Sequence, residues 1–84
     1  MKISLAKHFN ERVVERNIDM KHVAAAIQHG KIEQRGMNGN DQDVRIIYNI
    51  DNNSRIMIGA FIKPNGDLFL TTVFYRGALD NGHK

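Results

Sequence analysis

Three residues near the start of the chain, His8, Arg12 and Arg16, are spaced four apart. In a helix that spacing lines them up along one side. On a wheel of about 100° per residue the stripe runs along the margin of the apolar face formed by Leu5, Phe9 and Val13, not opposite it. Polar groups at a helix–sheet margin are partly desolvated. A neutral imidazole there could act as a general base, and two guanidinium groups could hold a phosphate and stabilise charge developing on it. The competing reading is structural. Arginine stems often cover a core while their heads pair with carboxylates such as Glu11 or Glu15, and a lone histidine at such a margin is usually only hydrogen-bonded. Periodicity by itself favours that reading for His8.

A second group of candidates lies near the other end, in Leu70-Thr71-Thr72-Val73-Phe74-Tyr75-Arg76. In a strand, alternation places Thr71 with Tyr75 on one face and Thr72, Phe74 and Arg76 on the other. Hydroxyls and arginines beside a histidine suit cleavage of RNA through the ribose 2′-OH. One group takes the 2′ proton, one protonates the leaving 5′ oxygen, and cations neutralise the phosphorane, with no metal required. A β-rich strand whose threonines merely suit the sheet explains the same residues. His22 and His29 are seven positions apart and have no third ligand at metal-site spacing, and the chain has no cysteine, so neither a metal nor a cofactor is expected. No glycine-rich phosphate loop is present, and Ser4 and Ser54 carry no sign of a triad.

The elements that must position these residues read as α+β. Leu5 to Arg16 is expected as a first helix, and Asn17-Ile18-Asp19 breaks it. Asp19 suits an N-cap, with Ile18 stapling onto Val23. A second helix should run from about Met20 to His29 and end on Gly30 in a left-handed conformation. Beyond Gly30 the period becomes alternating. Lys31 to Arg35 is expected as a short edge strand, Gly36 to Asp41 as a loop, and Asp43 to Ile50, Arg55 to Ile62 and Asp67 to Tyr75 as strands. The fold expected is therefore two N-terminal helices packed on a four-stranded antiparallel sheet, in a single domain over 1–84 whose ends, 1–4 and 77–84, are flexible.

If Asn65-Gly66 is a two-residue hairpin loop, Ile62 faces Phe69, Ala60 faces Thr71, Ile58 faces Val73 and Ile56 faces Tyr75, while Phe61, Gly59 and Met57 face Leu70, Thr72 and Phe74. Both faces of that hairpin are largely apolar, which an exposed antiparallel sheet should not be. One face must take the helices. The other is covered by tail and loops, or it is a groove for a partner.

Composition sets the outer bounds. The chain has 84 residues, 42% hydrophobic and 25% charged, which fits one small globular domain. Without cysteine it has no disulfides, which favours a cytoplasmic site of action, including action inside a cell into which a larger toxin has been delivered. Met1-Lys2-Ile3-Ser4-Leu5 lacks the apolar run of a signal peptide, and no membrane association is expected. A net charge of +3 leans mildly towards an anionic partner.

The order of motifs also resembles a small domain family. Members open with H-x-x-x-R-x-x-x-R-x-I, matched by His8, Arg12, Arg16 and Ile18, and continue with V-x-x-A-I-x-x-G, approached by Val23-Ala24-Ala25-Ala26-Ile27-Gln28-His29-Gly30. An arginine–aliphatic strand follows at Arg45-Ile46-Ile47-Tyr48, and a T-V-aromatic-R strand at Thr72-Val73-Phe74-Tyr75-Arg76, with one extra residue. The layout is similar to RelE-like and BrnT-like toxins, and more broadly to the barnase, EndoU and colicin D group of ribonucleases. That resemblance implies a metal-independent endoribonuclease with RNA, such as tRNA or mRNA, as substrate and a cognate antitoxin or immunity protein as partner. It would make His8 the acid or base, with Arg12, Thr72 and Tyr75 beside it, and Arg16, Arg45, Thr71 and Arg76 as RNA contacts. The alternatives are a non-enzymatic interaction module using the second apolar sheet face, and a non-catalytic nucleic-acid binder.

Overall fold

A computed structural model describes residues 1–77. The elements in chain order are β1 (Ile3–Leu5), α1 (Lys7–Glu15), α2 (Met20–His29), β2 (Lys31–Asn38), β3 (Asp41–Asn49), β4 (Ser54–Ile62) and β5 (Leu68–Gly77). The strands form one five-stranded sheet in the order β1-β5-β4-β3-β2, antiparallel except for β1, which runs parallel to β5. The expectation of a four-stranded, wholly antiparallel sheet is thus corrected. The residues assigned to a flexible start are a strand, held by Leu68 N–H donating to the Lys2 carbonyl and by Lys2 N–H donating to Asp67 Oδ1, both at 2.9 Å. A three-residue strand is too short to show a period, and its partner lies at the opposite end of the chain. Only tertiary pairing could reveal it.

With Leu5 committed to β1, α1 begins two residues later than its apolar spacing suggests. Ala6 forms an extended N-cap without a side-chain hydrogen bond. The second helix starts as its sequence dictates: the Asp19 carboxylate accepts from Lys21 N–H, and Ile18 and Val23 are both buried. Gly30 departs from expectation. Its backbone is extended (φ −69°, ψ 160°), so it leads straight from α2 into β2. Its glycine identity follows from close approach, because a Cβ there would stand 2.8 Å from Ile46 Cγ2. β2 also runs further than expected, through an irregularity between Gln34 and Gly36 to a turn at Gly39-Asn40.

Both helices lie on one face of the sheet. Phe9, Ile18, Val23 and Ala26 from the helical layer meet Val44, Ile46, Ile56, Ile58, Ala60, Leu68, Leu70, Val73 and Tyr75. Alternation explains the membership of β3 and β4, but β5 changes phase. Ile56, Met57, Ile58 and Gly59 pair with Tyr75, Phe74, Val73 and Thr72 as a two-residue hairpin loop would have them. The register then slips at a bulge, and Ala60, Phe61 and Ile62 pair with Leu70, Phe69 and Leu68. The loop accordingly spans Lys63 to Asp67, closed by Lys63 N–H donating to the Asp67 carbonyl at 2.8 Å. Because Thr71 is the extra residue, both Leu70 and Val73 can face the helices.

Candidate functional site

The register lays out the face turned away from the helices. Glu33, Arg45, Gly59 and Thr72 form one row across β2, β3, β4 and β5. Ile47, Met57 and Phe74 form the next, and Asn49, Arg55 and Arg76 the one after; on the other side of the glycine row stand Asp43, Phe61 and Phe69. At Gly59 the row has a notch between Arg45 and Thr72 that the threonine side chains already fill: a Cβ there would come 2.8 Å from Thr72 Cγ2 and 3.3 Å from Thr71 Oγ1. Both threonines therefore stand on this face, and the Thr71 hydroxyl donates to the Gly59 carbonyl at 3.0 Å. Thr71 and Tyr75 do not share a face as simple alternation requires; the bulge separates them.

β5 is paired on its outer side by β1 only over Leu68–Leu70. Beyond that, no strand among the described residues covers its edge, and the last turn of α1 reaches it. Arg16 donates from Nη1 to the Val73 carbonyl at 2.9 Å, which satisfies an edge acceptor. Its guanidinium carbon lies 5.9 Å from the centre of the Phe74 ring, and that of Arg76 lies 5.2 Å from the same ring. Two cations thus converge on one aromatic side chain. Among the described residues neither arginine has a carboxylate within ion-pair distance.

On the helix side of the same stretch, the Tyr75 hydroxyl, in a residue only 8% exposed, accepts from Asp19 N–H and contacts His22 Nδ1, each at 2.8 Å. A phenol has one proton to give. Its oxygen can also accept a second hydrogen bond, so Tyr75 holds the His22 ring by Nδ1 whichever of the two carries the shared proton, and Nε2 faces away from it. The two rings meet edge to face at 5.6 Å. The contact ties the first turn of α2 to β5, beside the carbonyl that Arg16 occupies.

The candidates from the sequence are therefore only partly brought together. Of the His8, Arg12 and Arg16 stripe, Arg16 hydrogen-bonds to β5. His8 projects outward, its side chain 76% exposed and 3.3 Å from Glu11, and Arg12 pairs with Glu15 at 3.0 Å. Arg45, Thr71, Thr72 and Arg76 share the open face, whereas Tyr75 turns to the helices. His22 is the histidine that sequence reasoning passed over. A signal existed, because His22 stands four residues before the buried Ala26 and so borders the apolar side of α2. Among the described residues no three His, Asp or Glu side chains are grouped so as to hold a metal, and no helix is long and apolar enough to cross a membrane.

No curated protein and no solved structure matches the chain. One family does, over residues 5–74, a span that takes in both helices and most of the sheet but stops just short of Tyr75 and Arg76. Covering most of the chain, that match makes this protein a member of the DUF4258 family, a domain of unknown function.

Proposed function

We propose that this protein is a toxin-type ribonuclease that binds RNA at the open edge and outer face of β5 and cleaves it without a metal. The supporting observation is the convergence of Arg16 and Arg76 on Phe74, with no carboxylate in ion-pair distance among the described residues. Two guanidinium groups beside one aromatic ring suit a phosphate and its neighbouring base. In this reading the ribose 2′-OH gives its proton to solvent water and attacks the adjacent phosphorus, the bond to the 5′ oxygen breaks, that oxygen leaves protonated, and a 2′,3′-cyclic phosphate remains. Arg16 and Arg76 stabilise the charge on the phosphorane. Arg45, across the Gly59 notch from Thr72, holds a neighbouring phosphate. In its protonated form His22 gives the Nε2 proton to the leaving oxygen and becomes neutral imidazole, while Tyr75 holds the ring through Nδ1. With the chemistry at the β5 edge, His8, which projects outward, and Arg12, which pairs with Glu15, are peripheral to it.

The test is incubation of the full chain with total tRNA and a generic mRNA in EDTA, alongside His22→Ala, His8→Ala and Arg16→Ala. Discrete fragments ending in cyclic phosphate are expected from the wild type. Losses of about 100-fold or more are expected for His22→Ala and Arg16→Ala, with His8→Ala within a few-fold of wild type. Abolition by His8→Ala with full activity in His22→Ala would return the acid–base role to His8. Intact RNA at high wild-type concentration would overturn the ribonuclease reading altogether. The outer-face rings Phe61 and Phe69 support a second reading, a non-catalytic interaction module that docks an antitoxin or immunity protein. It expects a tight protein complex lost in Phe61→Ser, with RNA untouched.

A further inference from the structure

Resting on the RNA reading above, we propose that the nucleic acid taken by this face is single-stranded, lying along β5 with bases on Phe69 and Phe74 and the backbone over the Gly59 notch. Phe69 stands directly across from Phe61 at one end of the face, and Phe74 across from Met57 at the other. Phe61, Phe69 and Phe74 are each partly exposed. The two β5 rings are five residues apart, roughly 15 Å along a bulged strand, a distance that a few extended nucleotides bridge. Between them stand only Thr71 and Thr72, whose short side chains cover Gly59, so a sugar–phosphate backbone can pass over a stretch lower than the rings at either end. Cations interleave with the rings. Lys63 lies 5.8 Å from the centre of Phe69, steered there by Asp41 at 2.8 Å; Arg45 flanks the notch; Arg16 and Arg76 flank Phe74.

Alternating rings and cations discriminate between partners. A duplex keeps its bases stacked inside and offers the sheet only phosphates, so partly exposed phenylalanines would gain nothing from it. An apolar protein partner would use the rings but leave arginines without counter-charges at its interface. Unpaired bases use the rings and the intervening phosphates use the cations, which is the arrangement seen generally where single strands bind without base-edge readout.

The experiment is fluorescence anisotropy of the full chain with a labelled 2′-O-methyl oligouridine of about ten nucleotides, which cannot be cleaved, and with the same strand annealed to its complement. At least tenfold tighter binding of the single strand is expected. Phe69→Ala and Phe74→Ala should each weaken it roughly 5- to 100-fold with little change for the duplex, while Phe74→Tyr, which keeps the ring, should bind like wild type. Arg45→Ala should weaken both forms. Circular dichroism confirms that each variant is folded. Equal affinity for the duplex, or no loss in the alanine variants, overturns the single-strand inference and leaves the RNA reading standing. No binding of either form overturns both.

Discussion

At the residue scale the most informative side chain is Tyr75. It is buried in the core, yet its hydroxyl has two polar neighbours, the Asp19 N–H and His22 Nδ1. Tyr75→Phe keeps the ring and strands both groups, so a loss of about 1–2 kcal/mol is expected in urea unfolding, with the fold retained. If the hydroxyl also holds the His22 ring for cleavage, the same variant slows cleavage by more than its stability loss explains. Gly59 is the opposite case, a residue chosen for absence. Gly59→Ala drives a methyl into Thr72 at 2.8 Å, and we expect about 1–3 kcal/mol of destabilisation by the same measurement. An unchanged midpoint would mean that the two threonines give way freely.

At the element scale two carboxylates hold turns and edges in place. Asp51 has its pKa held below the ordinary 3.8, first by the Asn53 N–H and then by the Ser54 hydroxyl, at the turn that joins β3 to β4. Asp67 is lowered likewise, chiefly by the Lys2 N–H that docks β1. A carboxylate whose folded pKa is depressed contributes stability above its unfolded value and loses it as pH falls through the folded one. Wild type should therefore lose stability steadily below about pH 4, and the Asp51→Asn variant should fall less steeply over that window. A parallel acid limb for the two proteins would refute the assignment. Asp67→Asn should loosen β1 first, visible as faster hydrogen exchange at Leu68 N–H, which donates to the Lys2 carbonyl, before any global change.

At the scale of the whole molecule, one helical layer covers one sheet face, and a single cluster centred on Phe9, Ile46, Ile56, Ile58 and Leu70 holds the two together. With so small a core, Phe9→Ala removes a ring that is completely buried and should cost about 3–5 kcal/mol, enough to leave the chain largely unfolded at 37 °C. Far-ultraviolet circular dichroism against temperature reads this directly. Arg45 and Arg76 stand on the opposite face and Arg16 at its edge, so under the proposed function RNA affinity should fall steeply with salt; an affinity independent of salt would mean that these arginines do not meet phosphate.

What was legible in the sequence follows from what local periodicity can encode. The second helix with its Asp19 cap, the strands β3 and β4, and the apolar character of both hairpin faces could all be read from spacing and side-chain type. So could the first half of the β4–β5 register, from Tyr75 back to Thr72. The bulge at Thr71 could not, because it depends on which strand face the helices bury, and it reassigned Leu68, Leu70 and Thr71 between the two faces. β1 was out of reach because three residues hold no period and the partner is some 65 positions away. Of the helical stripe His8, Arg12, Arg16, the first two pair with Glu11 and Glu15 on their own helix while Arg16 donates to Val73, a partition among long-range and local partners that spacing cannot encode. The pairing of His22 with Tyr75 joins residues 53 positions apart. The sequence alone determined two helices, the strands β3 and β4 and the supply of cations, rings and imidazoles; tertiary packing decided the fifth strand, the parallel pair and which side chains meet, because those contacts span long stretches of chain that no local pattern constrains.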